Sequence, residues 1–192
     1  MIYFLTDKDL YTSSAILRIG GADANTYLQG QFTQNVQVEA GKTVYGLWLD
    51  LKGKVLADSH VLKRANNEYL VVSYSTTAAA LLARLGAYLI ADEVELEDQT
   101  KAWASVLIWG DGAVDWVPPA NVLMLPSRRA GRASRQLLVP IAQSAEVIAA
   151  LKKISPVESD HRTAEVERLR DAYPAVPADI GPGPIAEVNA DG

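Results

Sequence analysis

Apolar residues run from Ala15 to Ile19 with one interruption at Arg18, a short strand pattern that the pair Gly20-Gly21 ends. Asp23 stands where a carboxylate caps a following helix. That helix is expected to last about two turns, closed by Gly30 in the left-handed conformation with polar Gln29 and Gln31 beside it. Val44 to Asp50 and Lys54 to Lys63 read as extended runs joined by Leu51-Lys52-Gly53, a hairpin connection. Glu68 to Ser73, entered through the turn residues Ala65-Asn66-Asn67, adds a third antiparallel strand.

Ser75, Thr76 and Thr77 are candidate caps for a helix whose stripe is Leu81, Leu82, Leu85 and Leu89, with Tyr88 beside it. Strand patterns return at Glu93 to Leu96, Trp103 to Trp109, Asn121 to Leu125 and Gln136 to Ile141, with turn signals at Gly110-Asp111-Gly112 and Pro118-Pro119. Two further helices follow, one with Val147, Ile148, Leu151 and Ile154 on a face, the other with Val166, Leu169 and Tyr173, and Pro156 separates them. Two strand groups each followed by helix predict an α+β protein of two similar halves, roughly 1–92 and 93–175, without a residue-level repeat. Residues 176–192 shift to Pro, Gly, Ala and Asp and read as a loosely held tail.

Composition adds mainly exclusions. With 192 residues, 49% hydrophobic and 21% charged, the chain can bury a proper core, and its net charge of -5 argues against broad non-specific binding to nucleic acid. The absence of Cys removes disulfides, thiolate nucleophiles and cysteine-held metal clusters within this chain. The start Met1-Ile2-Tyr3-Phe4-Leu5-Thr6 lacks a signal-peptide pattern, and no apolar run reaches the roughly 18 to 20 residues of a membrane helix, so a cytoplasmic location off the membrane is expected.

Among residues with chemistry, period-two alternation places Asp58 on one strand face with Leu56, His60 and Leu62. An acid among leucines suits either a ligand or a strand-end salt bridge. The amides and hydroxyl of Gln31, Thr33 and Asn35 could hydrogen-bond a ligand or equally close their own tight turn. Arg128, Arg129, Arg132 and Arg135 cluster in one segment, readable as an RNA-phosphate or polyglutamate contact or as a solvated loop. His161 and Glu165 read as a helical surface pair, two histidines make no metal motif, and neither a phosphate-binding glycine loop nor a Gly-x-Ser-x-Gly elbow occurs.

Taken together, Gly21-Ala22-Asp23, Tyr27-Leu28-Gln29-Gly30-Gln31-Phe32-Thr33, Asp50 with Lys52-Gly53-Lys54, and Tyr88 to Val94 resemble the YgfZ-type folate-binding proteins, relatives of the glycine-cleavage T-protein, an aminomethyltransferase. The resemblance runs from about Ser13 to about Asp179 and implies two interlocked ferredoxin-like halves. It implies a tetrahydrofolate-binding accessory role in iron-sulfur enzyme maintenance or tRNA modification. Aminomethyltransferase-like one-carbon transfer and a non-catalytic interaction module are the alternatives. Asp58 falls where the T-protein carries its catalytic aspartate, and Gln31, Thr33, Asn35 and Arg168 are the accompanying folate-site candidates. The motif Arg-x-Glu-Ala-Gly, whose glutamate contacts the pterin, falls on Arg168 onward and places Arg170 at that glutamate. The aromatic positions lining the pterin in other YgfZ-type proteins fall on Ser14 and Ala164.

The family continues into a β-barrel domain and a Lys-Gly-Cys-Tyr-x-Gly-Gln-Glu signature that this sequence does not contain. The expectation is a shortened homologue, or one served by a separate partner protein. Self-association into a homodimer through Val166, Leu169 and Tyr173 is also expected.

Overall fold

The structure, a computed structural model, describes residues 2–6, 13–155, 159–176 and 179–180. Its elements in chain order are β1 (Tyr3–Leu5), β2 (Ala15–Gly20), α1 (Ala24–Gln31), β3 (Thr43–Leu49), β4 (Val55–Ala65), β5 (Glu68–Ser73), α2 (Ala78–Gly86) and β6 (Glu95–Asp98). There follow β7 (Trp103–Trp109), β8 (Leu123–Ser127), β9 (Ser134–Pro140), α3 (Ser144–Ile154) and α4 (His161–Arg170). The chain divides into two compact units: a first of Ser13–Thr100 with Ala175–Gly192, and a second of Met1–Thr12 with Lys101–Pro174.

Every strand pairing is antiparallel. In the first unit β2, β4, β5 and β6 lie in the order β4-β5-β2-β6, with β3 added outside β4. With α1 and α2 in the connections, this is the ferredoxin-like arrangement. The second unit repeats the order as β8-β9-β7-β1, so the first strand of the chain fills the position that β6 fills in the first sheet. The α+β class and the interlocking are therefore as expected, but the linear split near residue 92 is corrected by pairing. Glu95 to Asp98 pair with β2, while Tyr3 to Leu5 pair with β7. A three-residue strand has too little pattern to announce itself, and β1 was not anticipated.

Each sheet carries an apolar core against its helices. In the first unit Leu17, Ile19, Leu28, Trp48, Val61, Val71, Leu81 and Leu85 pack together, and in the second Phe4, Val106, Ile108, Leu137, Val139, Val147 and Leu151 do. Full burial of each such side chain contributes about 1.5–3 kcal/mol. Thr77 caps α2 by accepting from Ala80 N–H at 3.3 Å, and Asp160 caps α4 by accepting from Thr163 N–H at 2.8 Å.

Three local expectations are corrected. Asp23 makes no side-chain cap on α1; its Oδ2 accepts from Glu93 N–H at 2.8 Å instead, fastening the segment before β6 to the start of α1. Gly21 makes that approach possible, since at φ 119° a Cβ there would lie 2.1 Å from Glu93 O. Gly30 does not turn the chain. It lies within α1, which ends when Phe32 becomes extended at φ -112° and forms a bridge with Trp48. On α4 the buried residues are Ala164 and Arg168, and Val166 at 40% and Leu169 at 59% are left exposed, as the self-association reading expects of them. Finally, the start of the tail is held: Val176 is buried against Leu47 and Val55, and Asp179 Oδ2 accepts from Ala175 N–H at 2.9 Å. The rest of the tail, 177–178 and 181–192, and the break at Pro156 lie outside the described residues.

Candidate functional site

The Gln-Gly-Gln-Phe-Thr stretch closes α1 and then crosses β3. Phe32 stacks at 4.7 Å on Trp48, and Thr33 Oγ1 accepts from Leu47 N–H at 2.8 Å while Thr33 N–H donates to Leu47 O at 3.2 Å. Gly46 permits this crossing, because a Cβ there would sit 2.8 Å from the Phe32 ring. Gln29 Oε1 accepts from Val36 N–H at 3.0 Å, and Asn35 Oδ1 accepts from Gln37 N–H at 2.8 Å. Gln29, Thr33 and Asn35 thus spend these groups on the backbone of their own loop, supplying the partners that an irregular segment otherwise lacks.

Gln31 does something different. Its Oε1 accepts from Arg84 Nη1 at 3.0 Å, on the wall of a cavity of about 290 Å³ that is also lined by Gly30, Thr33, Asp50 and Tyr88. Asp50, in the hairpin, accepts from the N–H groups of Lys52 and Lys54 at 2.8 and 2.9 Å. The Lys54 hydrogen bond is the main reason its carboxyl lies below the usual carboxylate range.

Asp58 lies on the other face of the same sheet. Its strand partner is Leu47, and Trp48, whose Nε1 donates to Ser59 Oγ at 2.8 Å, points to the helix side. Asp58 is 1% exposed, and its Oδ2 accepts from Tyr45 O–H at 3.1 Å. Ser73 Oγ donates to Asp58 O at 2.8 Å, fixing the strand beneath it. His60, 6% exposed, lies on the same face and stacks with Tyr45 at 5.1 Å and edge-on to Tyr74 at 5.7 Å. Ser14 Oγ donates to Tyr74 O at 2.5 Å. Burying a carboxylate costs several kcal/mol unless hydrogen bonds or charge compensate it. A carboxylate, an imidazole and two phenols gathered on an otherwise apolar strand face form an unusual polar cluster. Thus Asp58, on one face, is separate from Gln31 and Thr33 on the other.

Arg168 belongs to the second unit. It is 4% exposed, and its guanidinium pairs with both carboxylate oxygens of Glu165, on Nε at 2.9 Å and on Nη2, while Nη1 donates to Tyr173 O. Those bonds pin the residues that follow α4. Arg170, which stands where the motif has its glutamate, is exposed and paired with Glu167 at 2.6 Å. Ala164 is buried against Leu107, Trp109 and Ala130. Ala172, where the motif ends in Gly, has φ 52°.

The four clustered arginines diverge. Arg128 stacks on Tyr173 at 5.7 Å, Arg129 is buried, Arg132 N–H donates to Asp171 Oδ2, and Arg135 Nη1 donates to Ser134 O at 2.8 Å. A second cavity, of about 490 Å³, is lined by Tyr3, Trp109, Arg132 and Glu167 among others. Sequence reasoning passed over Gln136 on β9. It is fully buried, and neither Oε1 nor Nε2 of its amide has a hydrogen-bond partner among the described residues. It read as one polar residue in a strand, and nothing local distinguishes an orphaned amide from a satisfied one. Among the described residues no group of acidic or histidine side chains is placed to hold a metal ion, and no helix is long and apolar enough to cross a membrane.

The family model described as GCVT N-terminal domain matches residues 11–121, more than half of the chain. An aminomethyltransferase of Saccharopolyspora erythraea is 30% identical over 104 residues, 54% of this chain and 28% of that protein. The crystal structure of the glycine cleavage system aminomethyltransferase T from Bartonella henselae superimposes with a TM-score of 0.73 at 16% identity, over 88% of this chain and 50% of that one. A chain of the heterotetrameric sarcosine oxidase from Corynebacterium sp. U-96 superimposes with a TM-score of 0.52 at 14% identity, over 91% of this chain and 87% of that one. The chain thus spans about a quarter of the curated aminomethyltransferase and half of the solved one, and it belongs to the GCVT N-terminal domain family.

Proposed function

We propose that this chain is a tetrahydrofolate-binding protein of the YgfZ type, acting as an accessory factor for iron-sulfur enzymes or tRNA modification. The observation that carries the reading is the buried Asp58, held by Tyr45 on a strand face it shares with His60. The donor set fits a pterin, whose N–H-rich edge suits a carboxylate acceptor, and the neighbouring rings offer stacking surfaces. When bound, the folate supplies the one-carbon carrier. The chain's own contribution is to orient and to exclude water, with Tyr45 fixing the carboxylate rotamer and Asp58 accepting from the ligand. Because Asp58 is 1% exposed, ligand binding requires local rearrangement around its carboxylate, and association is expected to be slow.

Calorimetry with tetrahydrofolate and its 5-formyl form tests the reading. Asp58→Asn is expected to weaken binding about tenfold or more, in keeping with loss of a charge-assisted hydrogen bond. Absence of heat at high micromolar protein overturns it. A second reading, aminomethyltransferase-like transfer, is favoured by the name of the relative that matches 54% of the chain. There Asp58 would orient the reactants and stabilise charge, and general acid-base help by such a group is in addition worth about 10² to 10⁴ in rate. Methylenetetrahydrofolate formation that survives Asp58→Asn unchanged removes Asp58 from that reading.

A further inference from the structure

The cavity beside α2 holds a cation that has no counter-ion among the described residues. Arg84 lies between two rings, its guanidinium carbon 5.4 Å from the Trp48 centroid and 5.2 Å from that of Tyr88. Nη1 donates to Gln31 Oε1 and Nη2 to Leu49 O, each at 3.0 Å. Both acceptors are neutral, and Nε is buried with no hydrogen-bond partner among the described residues. Guanidinium has five N–H donors, so three are left over by these two bonds. Among the described residues no carboxylate pairs with it. Asp50 lines the same cavity but accepts from the hairpin amides, and the groups that bear on Arg84 electrostatically are the phenols of Tyr88 and Tyr27.

A half-buried charge in this condition carries a desolvation cost that neutral acceptors offset only in part, and the direction of its pKa, lowered chiefly by burial, reports that cost. The two aromatic faces and two fixed acceptors hold the guanidinium plane in one orientation, which is the preorganisation that oxyanion recognition needs. Asp50, the one acidic residue in the lining, is offset by Lys52 and Lys54 of its own hairpin, which bear on its carboxylate electrostatically. Gly30 lines the opening, and a Cβ there would meet no atom within 4 Å.

We infer that this cavity is a binding site for a small oxyanion, a carboxylate or phosphate carried on a compact apolar body, with Arg84 as the gripping residue and Gln31 setting its orientation. At about 290 Å³ the space suits a fragment-sized molecule. Phe32, Leu49 and Tyr88 supply its apolar walls. Because Trp48 and Asp58 point to opposite faces of the sheet, this site is separate from the Asp58 cluster and independent of the folate reading.

The test follows the Arg84 Nε–H resonance by proton-nitrogen correlation spectroscopy of the full chain while sodium benzoate, inorganic phosphate and neutral benzamide are titrated at constant ionic strength. Benzoate or phosphate is expected to shift the resonance saturably, with a Kd of about 1 mM or tighter, and benzamide to leave it in place. Whichever anion saturates first names the source class. Arg84→Lys, which keeps the charge and loses the fork, is expected to weaken binding about tenfold, read from the neighbouring amide resonances. Gly30→Leu, which fills the opening and favours the helix, is expected to abolish the shift with the thermal transition retained. The inference is overturned by no saturable shift at about 20 mM of either anion, by an equal response to benzamide, or by binding that persists in folded Gly30→Leu protein.

Discussion

The two units solve the same topological problem with different local means. Both run strand, left-handed glycine, connection, hairpin and helix in the same sheet order. Gly21 at φ 119° follows β2, and Gly110 at φ 98° follows β7. Three residues on, each connection buries an alanine, Ala24 or Ala113. Beyond that point they part. The first unit builds α1 and the Phe32-Thr33 crossing, whereas the second passes from Gly110 to Asn121 by turns alone. The contrast teaches where the family motif acts: it shapes the one connection that makes a helix and, with it, the Arg84 cavity. Their buried polar groups differ as well. Asp58 in the first sheet accepts a hydrogen bond from Tyr45, while Gln136 in the second has an amide with no hydrogen-bond partner among the described residues.

The comparison is broken most forcefully at Gly21. Gly21→Ala puts a Cβ 2.1 Å from the backbone oxygen of Glu93 at a φ that side chains rarely adopt. A loss of about 3 kcal/mol or more is expected, read as a fall in urea midpoint. Retention of wild-type stability would show that the Asp23-Glu93 fastening is dispensable.

The opposite sign is expected in the second unit. Gln136→Leu removes an amide whose desolvation nothing repays and should stabilise the protein by about 1–3 kcal/mol, without an added ligand, in the same denaturant assay. Destabilisation would show that the amide has a water or ligand partner in solution.

A pH effect separates the units further. Tyr27 O–H donates to Leu85 O at 2.6 Å, and its pKa is pushed up to about 12 chiefly by burial. A folded pKa above the ordinary 10 means that the unfolded chain releases its proton first. Tyr27 therefore supports stability fully below pH 10 and loses that support as pH rises from there towards 12. Tyr27→Phe should be less stable at neutral pH by about 1 kcal/mol and show a flatter alkaline decline in thermal melts. An unchanged decline would assign the alkaline transition elsewhere.

The smallest effect is expected at the end of α4. Ala172 adopts φ 52°, which costs an L-residue roughly 1–2 kcal/mol, partly balanced by the greater chain entropy of glycine. Ala172→Gly should stabilise by about 0.5–1 kcal/mol, measurable as a rise in Tm, and a neutral or negative result would mean that the turn relaxes in solution.

How much of this was legible follows from how local each signal is. The hairpin around Gly53, the strand from Glu68 to Ser73, the strand from Trp103 to Trp109 and the helix after Thr77 were visible because period-two or helical patterning and a cap are written within a few residues of one another. Gly30 misled, because glycine permits the left-handed conformation without requiring it. On α4 the exposed Val166 and Leu169 were legible, but the inward turn of Ala164 and Arg168 was not, because a small residue and a charged one carry no apolar signal.

At the candidate sites the division is sharper. The sequence by itself determined the residue types, the alternation that sets Asp58 on one strand face with His60, and the motif around the end of α1. The pairing of Asp58 with Leu47, which turns Trp48 to the opposite face, came only with the fold. Tertiary structure alone decided what those groups meet. Thr33 and Asn35 turned to their own backbone, Arg168 was committed to Glu165 and Tyr173, and Gln136 was left without a hydrogen-bond partner among the described residues. It also brought Gln31 to Arg84, 53 residues away along the chain, and set that guanidinium between two rings without a carboxylate. The physical reason is that hydrogen bonding and desolvation depend on partners distant in sequence, and only the folded packing chooses them.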